Sequence, residues 1–305
     1  MTKKDFLDIS LISENNIKEI LKLSHCIKSD KEKYSTALKG KTLVNIFEKK
    51  STRTRISFEV GIQQLGGYSV VITSENSQLS KGETIEDTSK VISRFGDIIM
   101  ARVNKHSTLE TLAKNSSIPV INGLSDYSHP CQIIADIMTY EEKLGDIKGA
   151  TIAWIGDGNN VLHSWIHIAE KLKFNLNIAC PENLKPCDKT VQDALNNGAN
   201  IIIHNNPVNA VSGVNAVLTD TWISMGDKDV ENRLKTLKPY QVTSQLMDKA
   251  NKNAIFMHCL PAYRGNEVTS EVIDGSQSVV FDEAENRLHV QKAIMIWCAG
   301  KQNKI

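Results

Sequence analysis

Short apolar segments alternate along this chain with segments of helical spacing, and this alternation constrains the fold more than any other feature. The apolar segments are rich in β-branched residues and are continuous rather than alternating with polar ones. Such runs indicate strands buried on both faces, as in parallel sheets covered by helices. Ten runs fit: TLVNIF (42–47), SVVIT (69–73), DIIMARV (97–103), IPVIN (118–122), TIAWIG (151–156), LNIAC (176–180), NIIIH (200–204), AVLTD (216–220), AIFMH (254–258) and SVVFD (278–282).

Helix signals occupy most of the intervals between these runs. Thr84 and Asp87 form a capping pattern for a helix that is expected to turn Ile85, Ile92 and Phe95 inward. A second helix is predicted to begin at Pro130, because proline is favoured at the first helical position. Its apolar pattern of helical spacing continues to about residue 144. The glycine-bearing turn LGDIKGAT (144–151) follows near mid-chain. The sequence therefore predicts an α/β protein with two doubly wound parallel-sheet domains.

Charge and hydropathy exclude several classes of function. The chain has 305 residues, with 36 basic and 35 acidic side chains and a net charge of +1. This balance gives no overall field that favours nucleic acid or an anionic membrane. No apolar stretch is long enough to span a bilayer, and the first residues, MTKKDFLDISLISENN, have no apolar signal-peptide region. The six cysteines show neither CxxC nor a zinc-ligand spacing, so we expect reduced thiols and a cytoplasmic protein.

Polar clusters follow the predicted strands at their carboxyl ends. In open α/β sheets ligands bind at that edge, so scattered structural residues would have no reason to share it. Six clusters lie there: Ser51 to Arg55, Arg102, His129 with Gln132, Asn159 with Asn160, Asp220, and His258 with Cys259. This distribution predicts a small-molecule site without reference to any family.

The densest of these clusters is STRTR (51–55), between a buried strand and a helix. A helix start offers free backbone N–H groups and the positive end of the helix dipole, and hydroxyls add further donors. Arg53 adds a planar fork that matches phosphate oxygens. The alternative is a solvated basic loop in which Arg55 pairs with a nearby acid, and the segment alone does not decide between the two. The cluster lacks the glycine-lysine signature of a P-loop, so nucleotide hydrolysis is not implied.

Five motifs in order give the chain a family resemblance. STRTR (51–55), HPCQ (129–132), GDGNN (156–160), DTWISMG (220–226) and HCLPA (258–262) resemble those of the aspartate/ornithine carbamoyltransferase family, most closely its ornithine branch. The resemblance implies a carbamoyl-phosphate-binding domain (1–143, joined by a returning C-terminal helix, 284–305) and an ornithine-binding domain (144–283). It also implies a homotrimer with active sites shared between subunits, and a reaction that requires neither metal nor redox cofactor.

The resemblance implies a role for each matching residue of the first domain. Ser51, Thr52, Arg53 and Thr54 hold the phosphate of carbamoyl phosphate, while Arg102, His129 and Gln132 contact its carbamoyl end. Gln78 falls where the family's loop reaches a neighbouring subunit's site, and Arg287 matches an arginine near the carbamoyl group and the leaving phosphate. Thr54, Arg102 and His129 are the donors expected to stabilise the carbonyl oxygen as negative charge develops.

The second domain supplies the acceptor site in this reading. Asn160, Asp220, Ser224 and Met225 match positions that hold the α-amino and α-carboxylate groups of ornithine. Cys259 and Leu260 match those facing the δ-amino group and so also adjoin carbamoyl phosphate. We expect Cys259, with Arg102 and His129, to be catalytic. A cysteine there could equally serve as nucleophile, proton acceptor or hydrogen-bond partner, and the resemblance favours the last two.

Other readings of the sequence remain open to test. GDGNNV resembles a dinucleotide loop, but Val161 replaces its third glycine, which argues against a nucleotide. His163 and His167 are spaced for a metal, but without a third ligand they more often pack structurally. Putrescine is the runner-up acceptor to ornithine, and a non-catalytic carbamoyl-phosphate-binding relative is an alternative of a different class.

Overall fold

The computed structural model describes residues 3–76, 82–223 and 229–301, and the chain divides into two compact units. The first comprises Met1–Met138 together with Glu285–Ile305, and the second comprises Thr139–Ala284. Each unit is built on its own parallel sheet. Two parallel sheets flanked by helices confirm the predicted fold class.

The first unit has a four-stranded sheet of order β2-β1-β3-β4 with every pairing parallel. Val44 and Ile46 of β1 pack with the helices that cross this sheet, because the strand is buried on both faces. Its elements are α1 (Glu14–Ser29), β1 (Thr42–Phe47), α2 (Thr52–Gln64), β2 (Tyr68–Thr73), α3 (Ile85–Phe95), β3 (Ile98–Arg102), α4 (His106–Asn115), β4 (Val120–Leu124) and the start of α5 (Pro130–Leu144).

The second unit has a five-stranded parallel sheet of order β7-β6-β5-β8-β9. Its central strand β5 is almost wholly buried and directs the loop after it to the sheet's carboxyl edge. Its elements are β5 (Thr151–Ile155), α6 (Asn160–Leu172), β6 (Asn175–Ala179), α7 (Asp188–Asn196), β7 (Asn200–His204), α8 (Pro207–Val211), β8 (Ala216–Leu218), α9 (Val230–Leu237), α10 (Ser244–Met247), β9 (Ile255–Met257), α11 (Ser270–Ile273) and the start of α12 (Val280–Cys298).

The C-terminal helix α12 corrects one strand prediction. SVVFD was expected as a strand, but only Ser278 forms an isolated bridge, with Phe256, and the helix begins at Val280. Asp282 and Glu283 lie in its first turn, where acidic side chains favour a helix. The long helical pattern that follows therefore prevails over two β-branched valines. From Glu285 onward the chain belongs to the first unit, so the predicted return of this helix is confirmed.

Helix α3 confirms the capping prediction and contradicts one burial prediction. The hydroxyl of Thr84 accepts a hydrogen bond from Asp87 N at 3.1 Å, and Ile92 is buried. Phe95 does not turn inward, because 78% of its surface is exposed. Within the described residues, no helix combines the length and the apolar character that crossing a membrane requires.

Candidate active site

The segment Ser51–Arg55 joins the end of β1 to the start of α2, where the sequence predicts a helix start. Ser51 occupies the N-cap position with an extended backbone, and its hydroxyl does not cap the helix. Thr52 begins the helix and is exposed, while Arg53 is half-buried. The first amides of a helix have no intrahelical acceptor, so this turn offers donors and the positive end of a dipole to an anion.

Thr54 is the centre of the polar cluster in the first unit. Its buried hydroxyl accepts a hydrogen bond from Arg287 Nη2 at 2.8 Å and another from Arg102 Nη1 at 3.3 Å. Arg102 ends β3 and Arg287 lies in α12, so three elements meet at one oxygen. Because both acceptor positions of the hydroxyl are used, its own hydrogen is left to donate to a ligand.

A bulge in the sheet determines where Arg102 points. The register between β3 and β4 shifts between Ala101 and Arg102, so that Arg102 pairs with Leu124. Gly123 lies at the shift, and a Cβ there would approach the sulfur of Met100 to 2.4 Å. Bulges re-aim side chains beside functional sites. A Cβ at position 123 would thus have to displace the Met100 side chain, at the same irregularity that sets the course of Arg102.

His129 immediately precedes α5 and is buried. Burial holds the pKa of His129 well below its usual range, and the positive charges of Arg287, Arg102 and Arg53 lower it further. The imidazole is therefore neutral at neutral pH. It can donate one hydrogen bond and accept another, rather than adding a fourth cation to the cluster.

Three neighbours of this cluster have partners of their own. The buried amide of Gln132 donates to Asp136 Oδ1 at 2.7 Å, one helical turn away. Cys131 is a buried filler, as expected, and burial raises the pKa of its thiol to about 12. Arg55 pairs with Glu59 on the surface at 2.8 Å. The alternative of a solvated, salt-bridged residue is therefore correct for Arg55. Arg53 instead lies with the arginines around His129.

In the second unit, the carboxylate of Asp220 is the centre of the polar cluster. Its Oδ1 accepts from the thiol of Cys259 at 3.1 Å and from Thr221 N at 2.7 Å, while Oδ2 accepts from the amide of Asn159 at 2.7 Å. Asp220 is buried, and these three donors are neutral. A carboxylate surrounded by neutral donors keeps its negative charge available for an ammonium group.

Asn159 makes a side-chain contact with Asp220. Its side-chain oxygen caps α6 by accepting from Val161 N and Leu162 N, and its amide nitrogen turns to the carboxylate. Asn160 begins the helix and is half-buried. An asparagine before an apolar helical run is a recognisable N-cap signal. The contact with Asp220 could not be foreseen, because it joins two distant parts of the chain.

The segment after β9 presents Cys259 and Leu260. Nδ1 of His258 accepts from Leu260 N at 2.9 Å, and Nε2 lies 3.3 Å from the buried carboxylate of Glu267. Because Nδ1 accepts, we place the ring hydrogen on Nε2, which faces Glu267. Leu260 has a left-handed backbone, with φ 57°, which costs a branched residue roughly 1–2 kcal/mol. The His258 ring and Glu267, neither of them adjacent to Leu260 in sequence, stabilise that conformation.

One trio in the described residues could in principle bind a metal. Asp220, His258 and Cys259 each place a ligand atom within 4.8 Å of the others. Both nitrogens of His258 already face Leu260 and Glu267, and the thiol donates to Asp220. The observed contacts form a hydrogen-bonded network that metal binding would have to break.

The loop after β5 is filled by the chain itself. Gly158 N donates to Leu184 O at 2.8 Å, and a Cβ on Gly158 would lie 2.3 Å from Pro186 N. In a dinucleotide-binding loop, glycine makes room for a pyrophosphate. Here the glycine makes room for residues 184–186. Of the two histidines nearby, His163 accepts from Cys187 N at 3.3 Å and His167 is buried.

Three expected ligands are not among the residues that the structure describes. Gln78 lies in 77–81, and Ser224 and Met225 lie in 224–228. Their assignments remain predictions.

Comparisons with known proteins identify the family. The model "Aspartate/ornithine carbamoyltransferase, carbamoyl-P binding domain" matches residues 4–142, and that for the family's "Asp/Orn binding domain" matches residues 148–298. The chain is 54% identical over 301 residues to an ornithine carbamoyltransferase of Rhodopseudomonas palustris, covering 97% of each protein.

Solved structures agree with this match. The ornithine carbamoyltransferase of Pyrococcus furiosus has a TM-score of 0.91 at 44% identity, with 97% of each chain covered. The anabolic enzyme of Campylobacter jejuni has a TM-score of 0.92 at 38% identity, covering 97% of this chain and 99% of that one. Sequence and structure agree over almost the whole length, and this chain belongs to the aspartate/ornithine carbamoyltransferase family.

Proposed function

We propose that the protein transfers the carbamoyl group of carbamoyl phosphate to the δ-amine of L-ornithine, giving L-citrulline and phosphate. The observation that carries this proposal is the convergence of Arg102 and Arg287 on the hydroxyl of Thr54, beside a neutral His129. This group of donors suits an acyl phosphate, whose phosphate is anionic and whose carbonyl oxygen gains charge during transfer. The relatives that match nearly the full length are named ornithine carbamoyltransferases, which favours ornithine as the acceptor.

The first unit is assigned the carbamoyl phosphate site. Ser51, Thr52, Arg53 and the first amides of α2 hold the phosphate, because a helix start and a guanidinium suit a multiply charged anion. Arg53 Nε supports this role, since it is shielded from solvent and has no hydrogen-bond partner among the described residues. Gln132 and Arg287 complete the site at the carbamoyl end. We assign domain bounds of 1–143 with 284–305 for this substrate, and 144–283 for ornithine.

Three donors form the oxyanion site. Thr54 contributes its hydroxyl hydrogen, Arg102 a charged N–H, and His129 a neutral imidazole N–H. Preorganised donors of this kind act on charge that develops in the transition state, and the loss of one typically costs about 10²–10³ in rate. The neutral state of His129 is an advantage, because its hydrogen-bonding capacity does not vary around neutral pH.

The second unit is assigned the acceptor site. Asp220 binds the α-ammonium of ornithine, while Asn160, Ser224 and Met225 complete the contacts to the α-amino and α-carboxylate groups. Cys259 and Leu260 face the δ-amine and the carbamoyl group. Cys259 donates to Asp220, and a thiol sulfur can also act as a weak acceptor for an N–H of the amine.

The reaction is a single group transfer in this scheme. The lone pair of the neutral δ-amine forms a bond to the carbamoyl carbon, and the bond from that carbon to the phosphate oxygen breaks. Phosphate leaves with the bonding electrons, and the nitrogen loses one proton to phosphate or solvent. Holding the two small substrates in contact supplies much of the acceleration, since effective molarities are large for well-oriented groups.

We propose a homotrimer in which Gln78 reaches the site of a neighbouring subunit. An exposed apolar surface of the first unit supports association, and we call it the β2–α3 patch: Tyr68, Val70, Val91 and Phe95, exposed by 66, 47, 47 and 78%. Tyr68 and Val70 share their face of the sheet with Ile72, which packs with α3 residues. A trimer would cover such a patch.

Subunit mixing tests the shared site. Gln78→Ala and Arg102→Ala proteins, dissociated and reassociated together, should regain activity, because hybrids contain some sites with neither lesion. Absence of recovery in hybrids of verified composition contradicts donation of Gln78. Mass measurement by light scattering tests the trimer itself.

A citrulline assay tests the function directly. Ornithine, putrescine and N-acetylornithine are compared as acceptors with carbamoyl phosphate, and phosphate release is measured in parallel. Ornithine should be preferred. Equal or better turnover of putrescine would reassign the acceptor, and absence of turnover with tight carbamoyl phosphate binding would indicate a non-catalytic relative. We further propose a cytoplasmic location and a role in arginine biosynthesis, supported by six cysteines that form no disulfide among the described residues and by the word "anabolic" in the name of the Campylobacter jejuni relative.

A further inference from the structure

Arg233 lies in α9 and contacts two other segments of the second unit. Its Nε donates to Trp222 O at 2.6 Å, and its Nη2 donates to the carboxylate of Asp157. The side chains of Arg233 and Asp157 are only 20% and 11% exposed. One guanidinium thus links a backbone carbonyl and a charged side chain that are 65 positions apart in the printed sequence, with most of the contact shielded from water.

Each contacted segment carries a residue of the acceptor site. Asp157 lies in the loop that leads to Asn159 and Asn160, and Trp222 follows Asp220 by two residues. The bond from Asn159 to Asp220, at 2.7 Å, joins the same two segments a second time. The segments are therefore held together by Arg233 and by the Asn159–Asp220 contact.

The attachment points of Arg233 are themselves fixed. The indole of Trp154 donates to Asp157 O at 2.9 Å, and this strand residue is buried. Trp222 is buried too, and its ring lies against Gly156, where an added Cβ would be 3.2 Å from the indole nitrogen. Because other contacts hold both attachment points, Arg233 fixes the distance between the two segments. A displaced guanidinium would therefore shift one segment relative to the other.

We propose that Arg233 is a positioning residue for ornithine: it sets the separation of Asn160 and Asp220 without touching the substrate. This inference rests on the proposed function, since it assumes that these two residues bind the acceptor. A site with two separate acceptors requires arginine, because Nε and Nη2 donate in two fixed directions, here to Trp222 O and Asp157. Lysine retains the charge but offers a single ammonium, so it keeps the attraction to Asp157 and loses the bond to Trp222 O.

A plainly structural role predicts different behaviour. An ion pair that only stabilises the unit would, when weakened, lower the melting temperature and leave the affinity of the folded enzyme for ornithine unchanged. A positioning role predicts that a lysine variant keeps its melting temperature and binds ornithine more weakly. The fold is maintained by the remaining charge pair, and the acceptor site loses its alignment.

The experiment compares Arg233→Lys with wild type in the citrulline assay. The KM for ornithine is expected to rise roughly tenfold or more, in line with the loss of one charged hydrogen bond, while the dissociation constant for carbamoyl phosphate stays within about twofold. Binding of L-norvaline, which has the α-groups of ornithine and no δ-amine, should weaken in parallel. Because norvaline has no δ-amine to react, weaker norvaline binding would show that the variant impairs positioning of the acceptor and not only the chemical step.

Arg264→Lys is the matched control. Arg264, likewise in the second unit, donates through two nitrogens to a single surface carboxylate, that of Asp274, at 2.6 and 3.1 Å. It should leave both substrate constants unchanged. Asp157→Asn, which keeps the volume and one acceptor oxygen, decides the question in the same assay if Arg233→Lys does not fold.

Two results overturn the proposal: a wild-type KM and norvaline affinity in a folded variant, or an equal weakening of both substrates. Absence of wild-type turnover with ornithine would contradict the proposed function instead, and it is seen before any variant is compared.

Discussion

The polar clusters of the two units use opposite electrostatic designs. In the first, Arg53, Arg102 and Arg287 lie around a hydroxyl and a neutral histidine. In the second, the single carboxylate of Asp220 is surrounded by an amide, a thiol and a backbone N–H. Guanidinium groups stay charged at every accessible pH, so the charge of the first cluster is set by the protein. The substrate proposed for the second cluster is an amine that itself titrates, so its binding should vary with pH.

The largest predicted effect is on carbamoyl phosphate affinity and concerns Arg53. Arg53→Ala should weaken carbamoyl phosphate binding by on the order of 10³, because a charge-assisted, two-pronged contact to a desolvated phosphate is lost. Calorimetry or equilibrium dialysis measures this affinity directly. Equal affinity in wild type and variant would remove the phosphate role of Arg53.

Arg55 is the matched control for that change. It is two residues away, more than half exposed, and pairs with Glu59 one turn along α2. Such surface pairs contribute about 0.3–0.5 kcal/mol, so Arg55→Ala should leave carbamoyl phosphate affinity unchanged and lower stability slightly.

The next prediction concerns the acceptor and pH. The δ-ammonium of ornithine should have a pKa near that of lysine, about 10.4, so the reactive amine is scarce at neutral pH. The kcat/KM for ornithine should therefore rise about tenfold per pH unit between pH 6 and 8, since each unit raises the free amine tenfold. Carbamoyl phosphate affinity should vary far less, because the arginines do not titrate and His129 stays neutral.

Initial rates at low ornithine and saturating carbamoyl phosphate measure this dependence. A flat profile, with chemistry shown to be rate-limiting, would contradict attack by the free amine and would remove the contrast between the two clusters.

Cys259→Ala should lower kcat/KM for ornithine by roughly tenfold, through loss of one hydrogen-bond partner of the amine and of the donor to Asp220. Carbamoyl phosphate binding should change little. Cys259→Ser is the companion variant, since its hydroxyl can still donate to Asp220 and accept from the amine. Wild-type kinetics in Cys259→Ala would remove Cys259 from the mechanism.

The smallest predicted effect is on acid stability, and it separates the units again. Burial lowers the pKa of His289, in α12 of the first unit, to about 4, well below the usual value of about 6.5. As pH falls from about 6.5 to about 4, the unfolded chain binds a proton that the folded chain resists, so stability decreases across that window. His129 acts in the same direction.

His289→Gln should therefore flatten the fall in melting temperature between pH 6.5 and 4, by an amount on the order of a few degrees. An equal slope in wild type and His289→Gln would show that acid lability arises elsewhere.

Local patterns predicted most of the fold. The strand at 42–47 and the helix that begins at Pro130 lie where the sequence places them, because apolar runs and end signals act over a few residues. The strand predicted for SVVFD was wrong because two adjacent valines resemble a strand, whereas the residues after them favour the helix that begins at Val280. The inward prediction for Phe95 was wrong because helical spacing alone does not show which positions near a helix end the rest of the chain covers.

The candidate site was predictable only in its parts. The strand ends identified Arg102, His129, Asp220 and Cys259, because residues at one edge of a parallel sheet lie near one another. The partner of each residue was not predictable: nothing near Arg287 in sequence indicates Thr54, and nothing near Arg233 indicates Asp157. Such pairings depend on long-range packing, which a single sequence does not encode locally.

In the proposed oxyanion site, the hydroxyl of Thr54 has a consequence for the timing of catalysis. In water, dipoles must rotate toward a growing negative charge, and this reorganisation forms part of the activation barrier. With Arg102 and Arg287 bound to its oxygen, the Thr54 hydroxyl has little rotational freedom, and its hydrogen points one way before any substrate arrives. The reorganisation is thus completed once, when the chain folds, and it need not be repeated in each turnover.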